Sequence, residues 1–267
     1  MKTIMLTNDT DLSRYFCSKL AGDLKIKKIF IIEQNKDIKN SRNKLKKLLI
    51  TLISKKFFEK LIGFKNFLFD KEYYQISKLE KKIQKEKLSF YFKDYLKVLS
   101  TDLMIFEKIN LHSTDFVNRL YKIKPDLMLL FGTPIIDERI FNIPKYGTIN
   151  FHSSMLPYYK GSMVEFWQLY NSDYRYCGVS IHFVDKNVDS GNIIIQEQIN
   201  VDNRDVFFDL RYKNLLKGLE LYPAAIDKVK NGYKGEPQIK IKQKPFSGKM
   251  VTSKHILELY KRKGYLE

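Results

Sequence analysis

The chain opens on blocks of apolar and polar residues whose period changes along the sequence. Thr3–Thr7, TIMLT, is a short apolar run. The NDTDLSRYFCSKLAG that follows carries apolar residues at helical spacing, with Asn8 or Thr10 as cap and Gly22 placed for the C-terminal end. KKIFIIEQ, residues 27–34, gives a second apolar run. Strand, helix and strand in that order predict a parallel α/β sheet. From about Asp37 to Leu99 the rhythm changes: the stretch holds one glycine, Gly63, no proline, and apolar residues at intervals of three and four. That pattern predicts two or three amphipathic helices inserted into the α/β domain.

Alternation resumes after Ser100. HSTDFVNRLYKIKP reads as a capped helix stopped by Pro125. DLMLLFGTPII is almost wholly apolar, as in a strand buried on both faces of a parallel sheet, and breaks at Gly132-Thr133-Pro134. GTINFH is the next strand, and SMVEFWQLYN is a helix that brings the single tryptophan, Trp167, near the loop before it. CGVSIHFVDKNVDSGNIIIQEQINV predicts a hairpin whose first arm sets Val179, Ile181 and Phe183 on one side and Ser180, His182 and Val184 on the other. A long helix ends at Gly232, and the basic residues after it read as an appendage. The expected division is a catalytic domain over 1–204, with the helical insertion at about 37–99, and a helix plus basic appendage over 205–267.

Composition narrows the class. With 267 residues, 44% of them hydrophobic and 14% aromatic, the chain supports a sizeable core. Cys17 and Cys177 lie far apart with no CxxC spacing, so neither a disulfide framework nor a zinc site is expected, and a reducing cytoplasm is the natural location. The first residues read as a buried strand rather than a leader, and no window approaches a membrane-spanning run. The net charge is +18, and residues 36–97 hold 18 Lys/Arg against 7 Asp/Glu. Two readings stand side by side. Such a patch attracts polyanions, which include RNA, nucleotide-bearing substrates and an anionic membrane surface. Equally, it is a solvated lysine-rich surface in a chain where Lys, Ile, Asn and Phe are abundant throughout.

Of the four histidines, His112 and His255 have no evident partner, and His182 alternates with apolar neighbours, which reads as structural. His152 differs: it ends an apolar strand two residues after Asn150, so both side chains point to the same face. Asp189 in VDSG sits at a turn next to Ser190-Gly191. On its own it reads as a turn aspartate satisfying local amides. With Asn150 and His152 it makes a coherent set: an amide that donates to a developing oxyanion, an imidazole that donates or transfers a proton, and a carboxylate that orients the imidazole or a water and accepts a proton. Other chemistries lack their patterns. There is no GxGxxG after the first strand, no Walker loop, no GxSxG around Ser153-Ser154 and no metal-ligand spacing, so no metal is expected.

KPDLMLLFGTPII, NFHSSMLPYYKG and GVSIHFVDKNVDSGNIIIQEQI, in that order and spacing, resemble the formyltransferases that use 10-formyltetrahydrofolate. The likeness covers roughly Lys124 to Asn200 and, more loosely, the first two strands. It implies an α/β, Rossmann-like, mostly parallel twisted sheet with flanking helices, a helical insertion and a short C-terminal appendage. It also implies Asn150, His152 and Asp189 as the catalytic set. The backbone of Gly132, Thr133, Pro134, Ile135 and Ile136 would edge the pterin, and Asp185, Lys186, Asn187 and Val188 would form the other wall. The formyl donor would be 10-formyltetrahydrofolate.

One departure stands out: relatives often have proline, alanine or leucine-glycine after the histidine, where this chain has Ser153-Ser154. That position faces the acceptor. Within the family, methionyl-tRNA formyltransferases carry a substantial C-terminal RNA-binding domain, whereas about 60 residues follow the motif region here. Glycinamide ribonucleotide transformylases lack a comparable helical insertion. The resemblance is therefore nearest to the sugar nucleotide N-formyltransferases, and the expected acceptor is a nucleotide-linked amino sugar of surface polysaccharide (lipopolysaccharide or capsule) synthesis. Ser153, Tyr158, Tyr159, Lys160 and Trp167 are the expected acceptor residues, with aromatic faces for a sugar or base and a lysine for a diphosphate. Plain loop packing is the other reading of the tyrosines. Aminoacyl-tRNA or another amine, a folate-fold binding protein without activity, a homodimer and peripheral membrane contact stay open.

Overall fold

The computed structural model describes residues 1–33, 76–100 and 106–265. The chain divides into two compact units: Met1–Glu33 with Lys87–Glu267, and Gln34–Glu86. Of the second unit, residues 76–86 are described and are helical. Of the insertion expected at about 37–99, residues 37–75 lie outside the described residues, and 87–99 belong to the first unit.

In chain order the elements are β1 (Thr3–Asn8), α1 (Asp11–Leu24), β2 (Ile29–Ile32), α2 (76–91), α3 (Tyr95–Ser100), β3 (Phe106–Ile109) and α4 (Thr114–Ile123). They continue with β4 (Leu127–Phe131), α5 (Glu138–Phe141), β5 (Thr148–His152), α6 (Val164–Tyr170), β6 (Gly178–Phe183), β7 (Ile193–Gln198), α7 (Phe207–Lys230) and α8 (Ser253–Arg262). One sheet runs β3-β2-β1-β4-β5-β6-β7. The first five strands in that row are parallel, while β6 is antiparallel to β5 and to β7. This is the mixed, mostly parallel α/β sheet that strand–helix–strand alternation predicts.

The apolar runs settle where they do because both sheet faces are covered. All five residues of β4 and all four of β2 are buried, so these strands show no polar alternation. On one face Phe16 of α1 stacks on Phe131 with ring centroids 4.1 Å apart, and Phe151 lies 5.6 Å from it. On the other, Phe30 meets Phe116 of α4 edge-on at 5.2 Å. Full burial of a side chain such as Phe16 contributes about 2–3 kcal/mol before cavity terms. α7 packs across β6 and β7 and reaches α1, and its Tyr222 hydroxyl donates to the Leu130 carbonyl at 2.8 Å.

Helix ends follow the polar residues next to them. Thr10 caps α1 by accepting from the Ser13 amide, and Ser113 caps α4. α1 does not stop at Gly22: it runs to Leu24, and Lys25 takes the left-handed conformation at φ 54°. The residues after α7 are laid back onto the same unit rather than hanging from it. Glu236 bridges Ile193, and Phe246 bridges Gly161. On α8, His255 packs edge-on against Trp167 and Tyr170 of α6, each at 5.1 Å. Both cysteines are free and buried, and burial pushes their thiols up to about 12. Among the described residues no helix is long and apolar enough to cross a membrane.

Candidate active site

The site is placed by strand ends. Thr148–His152 is a strand buried between two neighbours, and its period of two sends Asn150 and His152 to one face. Register fixes what they meet: Asn150 lies beside Leu130 of β4 and opposite His182 of β6, and His152 lies opposite Ser180. β1 has β2 on one side and β4 on the other, so the connections diverge there, which is where open α/β sheets leave a crevice. A cavity of about 720 Å³ occupies that position, reached by Asn8 at the end of β1 and by the Gly132–Ile136 turn after β4.

Asn150, His152, Asp189, the turn Gly132–Ile136 and the loop Asp185–Val188 all line this cavity. Asp189 comes from the β6–β7 connection, far away in sequence. Two features aim it. The Asp185 side chain accepts from the Asn187 amide at 2.9 Å and from the Ser190 hydroxyl at 2.6 Å, which curls the loop. Asp189 itself has φ 48°, a left-handed conformation that aspartate tolerates better than bulkier residues. Gly191 closes the turn because a Cβ there would lie 1.9 Å from the Phe183 carbonyl oxygen.

The hydrogen-bond partners fix where the protons sit. His152 Nε2 lies 2.8 Å from the Tyr159 carbonyl, which only accepts, so Nε2 carries a hydrogen. Its Nδ1 faces Asp189 Oδ2 at 3.4 Å and is the nitrogen that gains or loses a proton. His182 Nδ1 donates to the Phe183 carbonyl at 2.7 Å, which leaves Nε2 to accept from the Asn150 amide at 3.3 Å. That same Nε2 is 3.6 Å from Asp189 Oδ1. Burial works against a charge on Asp189, but its imidazole neighbours, His152 first, and the Gly161 N–H outweigh it. Its carboxyl is held well below the usual carboxylate range. Asp189 is thus an ionised group, 12% exposed, between two imidazoles. Such a cluster can hold an imidazolium at His152 and receive a proton through it.

His182 is therefore part of the cluster, although its alternation with apolar neighbours reads as structural. The signal that would have found it is its register against Asn150, which an antiparallel pairing after a long connection does not reveal in sequence.

The five residues expected to face an acceptor are not among those lining the cavity. The Ser153 carbonyl accepts from Gln168 at 3.4 Å. Tyr158 stacks on Tyr176 at 4.2 Å. Tyr159 is 3% exposed and donates its hydroxyl to Asp173 at 2.7 Å. Trp167 is buried and stacks with Phe246. Burial draws the Lys160 ammonium pKa down, against the pull of Asp189 and Asp185. In their place the cavity wall is made by Gly161–Met163, Arg211 and Pro245–Ser247. Among the described residues no cluster of His, Cys, Asp and Glu could hold a metal ion.

Residues 1–226 match the model of the formyl transferase family. The chain belongs to that family. It is 30% identical over 135 residues to the methionyl-tRNA formyltransferase of Fusobacterium nucleatum, a match covering 50% of this chain and 43% of that one. It is 34% identical over 120 residues to the bifunctional polymyxin resistance protein ArnA of Wigglesworthia glossinidia brevipalpis, covering 45% and 18%. The matched stretch thus spans less than half the length of either curated relative. Among solved structures, a sugar N-formyltransferase from a Shewanella species superposes with a TM-score of 0.58 at 12% identity, over 98% of this chain and 88% of the other. Glycinamide ribonucleotide transformylase 1 from Symbiobacterium toebii gives 0.54 at 17%, over 90% and 95%. At these identities the likeness is one of fold, and the formyl transferase sheet is common to both.

Proposed function

We propose that this chain transfers the formyl group of 10-formyltetrahydrofolate to the amine of a nucleotide-linked amino sugar. The observation that carries the transfer reaction is the convergence of Asn150, His152 and ionised Asp189 on one cavity wall. The remaining walls suit a pterin donor. Ile135 is 74% exposed at the rim, an apolar side chain unpartnered within the fold, and the backbone of Gly132–Ile136 borders the same space. A structural neighbour described as a sugar 3N-formyl transferase, TM-score 0.52, was solved with dTDP and 5-N-formyl-THF.

The donor supplies an electrophilic formyl carbon and a nitrogen that leaves. The chain's own groups supply the rest. Asn150 spends one N–H on His182 Nε2 and keeps a second for an oxygen that gains negative charge. Donors of this kind typically contribute ~10²–10³-fold in rate. Asp189 stabilises a protonated His152 at Nδ1, so the imidazole can take the proton that the attacking amine loses and return it to the leaving nitrogen. Because the amine attacks unprotonated, turnover rises from acidic to mildly alkaline pH. Asp189 is already ionised over that range, so the rise does not come from its carboxyl.

Two supports favour the amino sugar: the fold-level likeness to sugar N-formyltransferases over 98% of the chain, and the motif LPYYKGS. A second reading, aminoacyl-tRNA, is favoured by the methionyl-tRNA formyltransferase relatives and the net charge of +18. The deciding experiment offers nucleotide-linked amino sugars and methionyl-tRNA side by side with 10-formyltetrahydrofolate and follows folate release. Turnover on at least one sugar nucleotide is expected. Turnover on the tRNA alone would overturn the sugar acceptor.

A further inference from the structure

One arm of the cavity takes no part in the chemistry above. It is bounded by Gly161–Met163, by Arg211 on the second turn of α7 and by Pro245–Ser247. Arg211 is held from behind. Its guanidinium lies 4.2 Å over the Phe207 ring, its Nε is 3.6 Å from Glu165 Oε1, and its Nη2 is 3.8 Å from the Met163 sulfur. Glu165 is 4% exposed, whereas the Arg211 side chain keeps 32% of its surface open. A guanidinium presents five donors in a planar fork. One carboxylate oxygen at long range and a thioether, which is a weak acceptor, leave most of that fork without an oxygen. Beside it, Ser162 Oγ accepts from the Gly248 amide at 3.0 Å and Ser247 Oγ accepts from the Lys249 amide at 3.3 Å, so each hydroxyl retains its hydrogen to donate.

A fork and two hydroxyls form a donor set that matches a ligand carrying three or more oxygens on one centre. We infer that Arg211, with Ser162 and Ser247, anchors a phosphate group of the acceptor. The inference rests on the nucleotide-linked acceptor proposed above and names the side chains that would recognise it. The Glu165 carboxylate and the Phe207 ring act through Arg211: they fix its fork in place before the ligand arrives, which lowers the cost of binding.

The test is equilibrium binding of UDP, dTDP and inorganic pyrophosphate to the wild type, to R211Q, to R211K and to the double variant E165Q/R211Q. Thermal stabilisation by 5-formyltetrahydrofolate runs in parallel. The wild type is expected to bind a nucleoside diphosphate, and R211Q to weaken it roughly 10- to 100-fold. R211K should recover part of the loss, since it keeps the charge without the fork. E165Q/R211Q removes the buried carboxylate that R211Q strands. It should bind diphosphate as poorly as R211Q while melting near the wild-type temperature, which separates a lost anchor from a misfolded chain. The folate-analogue shift should be unchanged in all four proteins. Diphosphate binding by R211Q within twofold of wild type overturns the inference, and so does a wild type that binds none of the three anions. The acceptor reading fails separately, when methionyl-tRNA but no sugar nucleotide is formylated.

Discussion

The two walls of the cavity are built in different ways. On the proposed catalytic wall, Gly132–Ile136 follows the end of β4, Asn150 and His152 lie within β5, and Asp185–Asp189 belongs to the connection after β6; strand register sets how Asn150 and His152 face their neighbours. On the opposite wall, Gly161–Met163, Arg211 and Pro245–Ser247 come from three distant segments. Backbone bonds tie two of them together: the Phe246 amide donates to the Lys160 carbonyl at 2.8 Å, and the Ser162 amide donates to the Phe246 carbonyl at 3.0 Å; Arg211 is held by its side-chain contacts with Phe207, Glu165 and Met163. Packed strands hold the reacting groups rigidly, whereas a strap laid across a loop can vary between relatives without disturbing them. On the proposed reading, the reacting groups and the acceptor wall are held by different elements that meet where the Gly161 N–H donates to Asp189 Oδ2 at 2.8 Å.

The sharpest break of that separation is on the catalytic wall. Substituting His152→Ala removes the imidazole between Asp189 and the Tyr159 carbonyl. The expected loss is at least ~10²-fold in kcat/KM, with the folate-analogue thermal shift retained, because the proposed pterin walls are other residues. Turnover within a few-fold of wild type would remove His152 from the reaction.

A smaller effect, on the other side, comes from the strap. Gly161 has φ 99°, and a Cβ there would lie 2.1 Å from the Phe246 carbonyl oxygen. Gly161→Ala therefore has to displace the 245–247 segment. The expected cost is about 1–3 kcal/mol of stability, read as a lower melting temperature. KM for the acceptor should rise while folate-analogue binding stays as it was. An unchanged acceptor KM would mean that the strap does not shape that wall.

The same division explains what could be read in advance. β1, β4 and β5 are legible because runs such as LMLLF and TINFH are apolar through burial on both faces, and strand period alone puts Asn150 and His152 together. The loop bearing Asp189 is legible from its turn residues. His182 was not, because its role depends on cross-strand register with Asn150. Nor was Arg211: on α7 it is one basic residue among several, and only the packing of α7 beside Met163 turns it into the cavity. The tail after Gly232 carries little apolar periodicity, yet Phe246 enters a stack between Tyr159 and Trp167 at 5.2 and 5.6 Å. Side-chain partners donated from 80 residues away leave no local trace.

Tyr159 gives the finest test of the comparison, because an aromatic residue in LPYYKG has two readings that predict opposite results. If it belongs to the acceptor, removing its hydroxyl changes KM. If it belongs to the frame, the change appears only in stability. The structure puts the ring at 3% exposure, flat on Phe246 at an interplanar angle of 9°, with its hydroxyl on Asp173 at 2.7 Å and accepting from Asn171 at 3.1 Å. Tyr159→Phe keeps the stack and loses the two hydrogen bonds. The Asp173 side chain is 34% exposed, so water replaces its lost partner, and the cost is expected near the ordinary value of about 1 kcal/mol. In a chain of this size that lowers Tm by about 2–4 °C. kcat and the acceptor KM should stay within twofold of wild type. A tenfold rise in acceptor KM at unchanged Tm would move Tyr159 from the frame to the binding surface, and with it the boundary between the two walls.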